Sequence, residues 1–236
     1  MSNDKKRYLL YSDLHLTNKN KHYKRDGDGL SDLLKRQMDF LKFLYSEGEK
    51  NKVDGIIFLG DLTDEDMIDT YVLSCLFELA KLAKNASFPS YFIEGNHGIT
   101  DRKNKYSIIG SLSALLPNCF FECQLHRERI NIKDKNVDLY FLPYGNFKEM
   151  QDLCANLQPQ EDTDCNVLFL HGPVINAEMD NGLPSQHGLE LTEETLEVFN
   201  LTIAGDFHRP QSMNIGSQPF VYCGAPFALT RGQEFD

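Results

Sequence analysis

Five short apolar runs in this chain stop at residues that bind metal ions. Tyr8–Tyr11 leads into Asp13 and His15, and Ile56–Leu59 into Gly60 and Asp61. Tyr91–Ile93 leads into Glu94, Gly95, Asn96 and His97. Val167–Leu170 ends at His171, and Leu201–Ala204 stops at Gly205 and presents Asp206 and His208. Runs of this length and composition read as buried strands. Five strands with oxygen or imidazole donors just past their C-terminal ends describe one site at the edge of a sheet. Each motif alone has an ordinary explanation. An Asp after a glycine is usually a turn or a helix cap, and a lone His at a strand end is more often hydrogen-bonded than liganded. The acids Asp61, Asp64, Glu65 and Asp66 can simply complement a helix dipole. All five in order make coincidence improbable.

Between the strands lie stretches with helical spacing, so the chain reads as α/β. Ser31 or Asp32 can cap a helix carrying Leu33, Leu34, Met38, Leu41, Phe43 and Leu44, ended by Gly48 and Glu49–Lys52. A second helix is expected over Glu65–Asn85, a short one over Tyr106–Leu116 and a fourth over Phe147–Leu157. Arg129–Ile132 and Val137–Leu142 read as a hairpin around Lys133–Asn136, and the acidic Gln158–Asp164 as a flexible connection. The expected architecture is a two-layer β-sandwich flanked by helices, one domain over residues 1–236.

A hydrophobic content of 41% with 25% charged residues excludes a globally disordered chain. Met1–Arg7 lacks the apolar core of a secretory signal, and the longest apolar stretch, Tyr71–Ala83, is interrupted by Glu78 and Lys81. No membrane partner and a cytoplasmic location are therefore expected. The six cysteines form no CxxC pair and read as reduced thiols. Cys119, Cys123 and His126 lack the fourth ligand of a structural zinc site. The net charge of −11 opposes a sequence-independent nucleic-acid footprint. Several of those acids are candidate ligands, however, and bound cations would reverse the local field.

Hard divalent ions take carboxylate, amide and imidazole donors, and two of them about 3.5–4 Å apart can activate water and neutralise a phosphoryl group. Asp13, His15, Asp61, Asn96, His171, Asp206 and His208 supply that set, with Asp61 able to bridge two ions. Lys19, Lys21, His22, Lys24 and Arg25, in the loop after the first motif, could grip a phosphate or form a solvated face. Arg102, Lys103 and Lys105 after His97 carry the same ambiguity.

Asp13-Leu14-His15, Gly60-Asp61, Gly95-Asn96-His97, His171-Gly172 and Gly205-Asp206-Phe207-His208 resemble the ordered motifs of the calcineurin-like metallophosphoesterases. The tail, Gly205–Gln211 followed by Val221–Pro226, is similar to that of the SbcD nucleases of DNA break repair and their viral members. The resemblance implies one ion on Asp13, His15, Asp61 and His208, and another on Asp61, Asn96, His171 and residue 206. It implies His97 as the general acid, a bridging hydroxide as nucleophile, and Mn²⁺ (or Mg²⁺) as the metal. It further implies DNA as substrate, with Lys21, Lys24, Arg25, Arg102 and Arg209 as candidate contacts, and an SbcC-like ATPase or a second copy as partner. The chain carries no phosphate loop of its own. SbcD-type capping and ATPase-binding regions are not recognised in it, and a viral member would act in the host cytoplasm.

Two positions depart from the family pattern: Asp206 stands where it has histidine, and Gly98 where it has an acid that would help orient His97. Asp101 is the nearest substitute in sequence. The leading expectation is a Mn²⁺-dependent DNA exo- or endonuclease. A phosphatase or small-molecule phosphodiesterase is the alternative, and a degenerate fold kept for binding is the third reading.

Overall fold

The computed structural model describes residues 5–19, 23–64, 68–101 and 106–228. Lys21, His22, Arg102, Lys103 and Lys105, and the side chain of Asp101, lie outside what is described.

In chain order the strands are β1 (Tyr8–Tyr11), β2 (Gly55–Phe58), β3 (Ser90–Ile93), β4 (Ile99–Asp101), β5 (Tyr106–Ser107), β6 (Cys119–Phe120), β7 (His126–Ile132), β8 (Lys135–Leu142), β9 (Cys165–His171), β10 (Leu201–Gly205), β11 (Gln211–Ile215) and β12 (Gln218–Tyr222). The helices are α1 (Asp32–Asn51), α2 (Thr70–Asn85), α3 (Ile108–Leu112), α4 (Phe147–Ala155) and α5 (Glu193–Leu196). One sheet runs β1-β2-β3-β6, entirely parallel. The other runs β11-β12-β10-β9-β8-β7, with β12, β10, β9 and β8 parallel and antiparallel hairpins at its two edges. The first sheet is drawn wholly from the chain before residue 121, the second from the chain after 125.

Alternation along the strands sorts side chains into three apolar layers. Ile57, Leu59, Tyr91, Ile93 and Phe120 of the first sheet meet Val137, Leu139, Phe141 and Phe169 of the second. Phe141 stacks there between Tyr91, at 5.2 Å, and Phe169, at 5.4 Å. The intervening residues Ile56, Phe58 and Phe92 pack outward under α1, α2 and α3. Tyr140, Leu142, Leu168 and Leu170 do the same toward α4 and Leu196 of α5. The sandwich with helices outside is therefore as expected.

Several boundaries differ from the expectation. The helix α1 runs through Gly48 to Asn51 and ends at Lys52 in the left-handed conformation. Gly48 is needed there for close packing, since a Cβ would lie 2.6 Å from the Phe88 ring. Asp69 caps α2, which accordingly begins at Thr70 rather than Glu65. The expected Tyr106–Leu116 helix shrinks to α3, because Tyr106 and Ser107 pair with β4 and Ser107 then caps the helix. The hairpin of β11 and β12 is not among the expected elements. Gln158–Asp164 is tied down: Asp162 meets Arg129 at 2.6 Å and Asp164 accepts from the Asn136 backbone at 2.8 Å.

Candidate metal centre

Parallel pairing sets the C-terminal ends of β1, β2 and β3 at one edge, and those of β9 and β10 at the facing edge of the other sheet. A hydrogen bond from β9 to the Leu59 carbonyl ties the two edges together, and a second to the same carbonyl braces the first sheet. Leu59 O accepts from Ser12 Oγ at 3.2 Å and from His171 Nδ1 at 2.6 Å. Gly205 allows this approach, since a Cβ there would sit 2.0 Å from Ser12 Oγ and 2.3 Å from Leu59 O.

The chain leaves these strands in unusual conformations. Asp13, His15 and Asp61 have φ of 52°, 47° and 56°, and Asp206 has φ of 112°. Non-glycine residues rarely sit at positive φ, and such positions cluster at functional sites. Here the turn swings each side chain back over the strand end. All four converge.

Asp61 divides its carboxylate. Oδ1 accepts the His97 backbone N–H at 2.9 Å, while Oδ2 lies 3.7 Å from His15 Nε2 and 3.5 Å from His171 Nε2. His15 Nε2 and His208 Nε2 face each other at 3.1 Å, both about as near to Asp13 Oδ1, at 4.0 and 3.9 Å. Asp13 also accepts the Asp206 backbone N–H at 3.2 Å, and Asn96 Oδ1 lies 3.0 Å from His171 Nε2. Asp206 Oδ1 stands 3.7 Å from the same nitrogen. The structure thus brings all seven candidate ligands together. Among the described residues Asp13, His15 and His208 form one donor group compact enough for a single ion, Asp13, Asp61 and His171 a second, and His15, Asp64 and His97 a third at the rim.

The electrostatics ask for a cation. Burial raises the Asp13 carboxyl, and pushes Asp206 up to about 7 with the neighbouring Asp13 and Asp61 adding to the shift. Burial opposes charge on His171, yet Asp61, followed by Asp13 and Asp206, pushes it up to about 10. Its Nδ1 donates to Leu59 O, and its Nε2 is turned toward Asn96, Asp61 and Asp206. Positive charge is required beside the buried Asp13 and Asp61 and the partly buried Asp206. Divalent ions meet that need, and the oxygen and imidazole donors suit them. His15 goes the other way: burial lowers it to about 3, which leaves a neutral ring able to donate its lone pair.

His97 stands at the rim, 40% exposed, its ring 4.7 Å from that of His15. Its Nδ1 faces the Asp64 backbone carbonyl at 2.9 Å, which fixes the ring with Nε2 available. Asp64, read from sequence as a helix-terminus charge, thereby belongs to the site; its carboxylate also lies 3.6 Å from His15 Nδ1. Glu94 is a second residue that sequence reasoning misses. It is buried, accepts from Ile109 N at 2.7 Å and Gly95 N at 3.2 Å, and occupies the space a Cβ at residue 98 would need, 2.2 Å away. Gly98 is therefore imposed by Glu94, and the orientation of His97 comes from Asp64. One signal in the sequence marks Glu94: a single acid set between the apolar Ile93 and Gly95.

The expected phosphate contacts fare differently. Arg25 donates to the Asn18 carbonyl at 2.7 Å, which braces its own loop. Arg209 pairs with Glu178. Lys24 is exposed. Tyr144 is buried with its ring edge-on to His171, 6.3 Å away. The C-terminal turn supports the site: Ala225 N donates to His208 O at 2.9 Å and Tyr222 Oη to Gly172 O at 2.9 Å. Among the described residues no helix is long and apolar enough to cross a membrane. All six cysteines are free thiols.

The family model described as Calcineurin-like phosphoesterase matches residues 6–210. A search of curated proteins by sequence returns no match. Among solved structures, a dimetal phosphatase from Danio rerio superposes with a TM-score of 0.56 at 11% identity, covering 92% of this chain and 87% of that one. GAP50, the anchor in the inner membrane complex of Plasmodium, gives 0.60 at 12% identity, covering 93% and 71%. A purple acid phosphatase from yellow lupin (Lupinus luteus) seeds gives 0.55 at 12% identity, covering 95% of this chain and 45% of that one. At these identities the likeness is one of fold.

Proposed function

Since the chain belongs to the calcineurin-like phosphoesterases, metal-dependent enzymes of phosphoester hydrolysis, we propose that it hydrolyses small phosphoesters at a two-ion centre bridged by Asp61. The observation that carries this is the position of Asp61 Oδ2, within 3.7 Å of one imidazole from each sheet. Asp13, His15 and His208 would hold one ion, and His171, Asn96 and Asp206 the other, with Asp61 shared. Two divalent ions supply a polarised phosphoryl group and an activated water at neutral pH. The chain's own part is to orient and to move a proton. In its imidazolium form His97, with Nδ1–H donating to Asp64 O, would pass the Nε2 proton to the leaving oxygen and return to the neutral Nδ1–H ring. The Asp61 carboxylate ties the His97 backbone to the centre and so fixes that ring's distance from it.

The surroundings favour a small substrate over a nucleic-acid track. Of the basic residues expected to grip DNA that the structure describes, Arg25 and Arg209 are engaged within the protein and Lys24 is exposed, and the segment beside His208 presents Glu178 and Asp180. The metallophosphatase or small phosphodiesterase alternative is thereby preferred to the DNA nuclease. A nuclease is supported by the resemblance of the 205–211 and 222–226 segments, but their contacts here brace His208 and Gly172.

The test is turnover by the purified full chain with Mn²⁺ on p-nitrophenyl phosphate, its bis ester, nucleotides, and linear or single-stranded DNA. Ester hydrolysis lost in Asp61→Ala and His97→Ala is expected. DNA cleavage lost in the same variants, with esters untouched, would put the nuclease first. No turnover of any substrate would favour a degenerate, binding role.

A further inference from the structure

His171 and His208 both turn Nε2 toward the cluster, yet their other ring nitrogens face different groups. Leu59 O fixes His171 from within the sandwich. His208 Nδ1 instead faces a carboxylate, Asp180 Oδ2, at 3.8 Å. Asp180 lies in the long connection between β9 and α5, which folds back on itself. Asn176 N donates to Ser185 O at 2.9 Å, Met179 N to Leu183 O at 2.8 Å, and Glu178 bridges Pro184.

This hairpin is fastened to the segment that follows His208. Glu178 N donates to Gln211 Oε1 at 2.8 Å, Gln211 Nε2 donates back to Glu178 O at 2.8 Å, and Arg209 pairs with the Glu178 carboxylate. The fastening at 178 with 209 and 211 sets the neighbouring residues 180 and 208 face to face. Arg209, adjacent to a candidate ligand, therefore plays a structural part, holding in place the hairpin that brings a carboxylate to the ring beside it.

We propose that Asp180 is a positioning residue, which keeps His208 in the Nδ1–H tautomer and so leaves the Nε2 lone pair for the ion shared with Asp13 and His15. This rests on the two-ion reading above. A carboxylate behind a liganding histidine fixes its tautomer and ring orientation and raises its basicity, and losing such a partner typically weakens metal affinity about 10–100-fold.

The experiment uses the full chain with Asp180→Ala and Asp180→Asn. Long-range ¹H–¹⁵N spectra of metal-free protein report the His208 tautomer, calorimetry with Mn²⁺ alone reports both sites, and thermal unfolding reports the fold. The expected result is loss of the Nδ1–H preference in Asp180→Ala and a fall of about 10–100-fold at one Mn²⁺ site only. Asp180→Asn, which keeps an acceptor oxygen, should recover most of the affinity, and the metal-free unfolding midpoints should be unchanged. An unaltered tautomer in Asp180→Ala, or unaltered Mn²⁺ affinity at both sites, overturns the proposal. Should the Ala variant fail to fold, the tautomer in Asp180→Asn decides. A native protein that binds no Mn²⁺ while the tautomer still depends on Asp180 would overturn the two-ion reading and support the pairing.

Discussion

Gly60→Ala is the sharpest perturbation the site offers, because two costs meet at one atom. The native φ is +103°, which an L-residue adopts only with strain of about 1–3 kcal/mol. The new Cβ would also lie 2.1 Å from His171 Nδ1 and 2.5 Å from its Cγ. The ring must then move off Leu59 O, losing a buried charge-assisted hydrogen bond worth about 1.5–3 kcal/mol. Reduced freedom of the unfolded chain returns about 0.4–1 kcal/mol. The net expectation is a loss of about 2–5 kcal/mol, together with weaker Mn²⁺ binding at the His171 site. Gly27→Ala is the control: nothing lies within 4 Å of its added Cβ, so its effect should stay within about 1 kcal/mol of zero. Urea unfolding of metal-free protein and Mn²⁺ calorimetry measure both. If Gly60→Ala matched Gly27→Ala in unfolding free energy, the contact between the Gly60 turn and His171 would not be what positions that ring.

His97→Ala should lower kcat by about 10²–10⁴ while leaving Mn²⁺ affinity intact, whereas Asp61→Asn should lose both; steady-state kinetics beside calorimetry separates them. Asp206→His removes one negative charge next to His171, so turnover of dianionic monoesters should rise severalfold relative to monoanionic diesters, read as the ratio of kcat/KM for p-nitrophenyl phosphate and its bis ester. A fall in that ratio would refute the charge reasoning. Burial pushes Glu94 up to about 7 from an ordinary 4.5. An acid raised on folding costs stability once the unfolded chain ionises. The metal-free stability of the native chain relative to Glu94→Gln should therefore fall by about 3 kcal/mol between pH 4.5 and 7 and that difference should level off above, followed by denaturation of both at each pH.

The strands that carry the candidate ligands are legible in the sequence because the signal is local: an apolar run, then a donor. Their common edge follows from the same pattern, since five such ends are useless apart. What stays hidden depends on partners distant in sequence. Asp64 acts through its backbone carbonyl, which composition does not mark. Gly98 looks like a defect until Glu94 is seen filling its space. Gly48 looks like a helix stop, but its role is to admit the Phe88 ring. Asp180 lies in a polar loop whose approach to His208 depends on Glu178, Arg209 and Gln211, and no periodicity encodes that.

Each sheet comes from its own stretch of chain, and the candidate ligands are divided between them. Asp13, His15, Asp61 and Asn96 belong to the first half of the protein, His171, Asp206 and His208 to the second. An ion gripped by both would act as a rivet through the seam of the sandwich. At a concentration 100 times its dissociation constant it would add about 2.7 kcal/mol to the folded state. Chelation would therefore withdraw mechanical cohesion along with chemistry, and any motion that pries the halves apart would release the ions first.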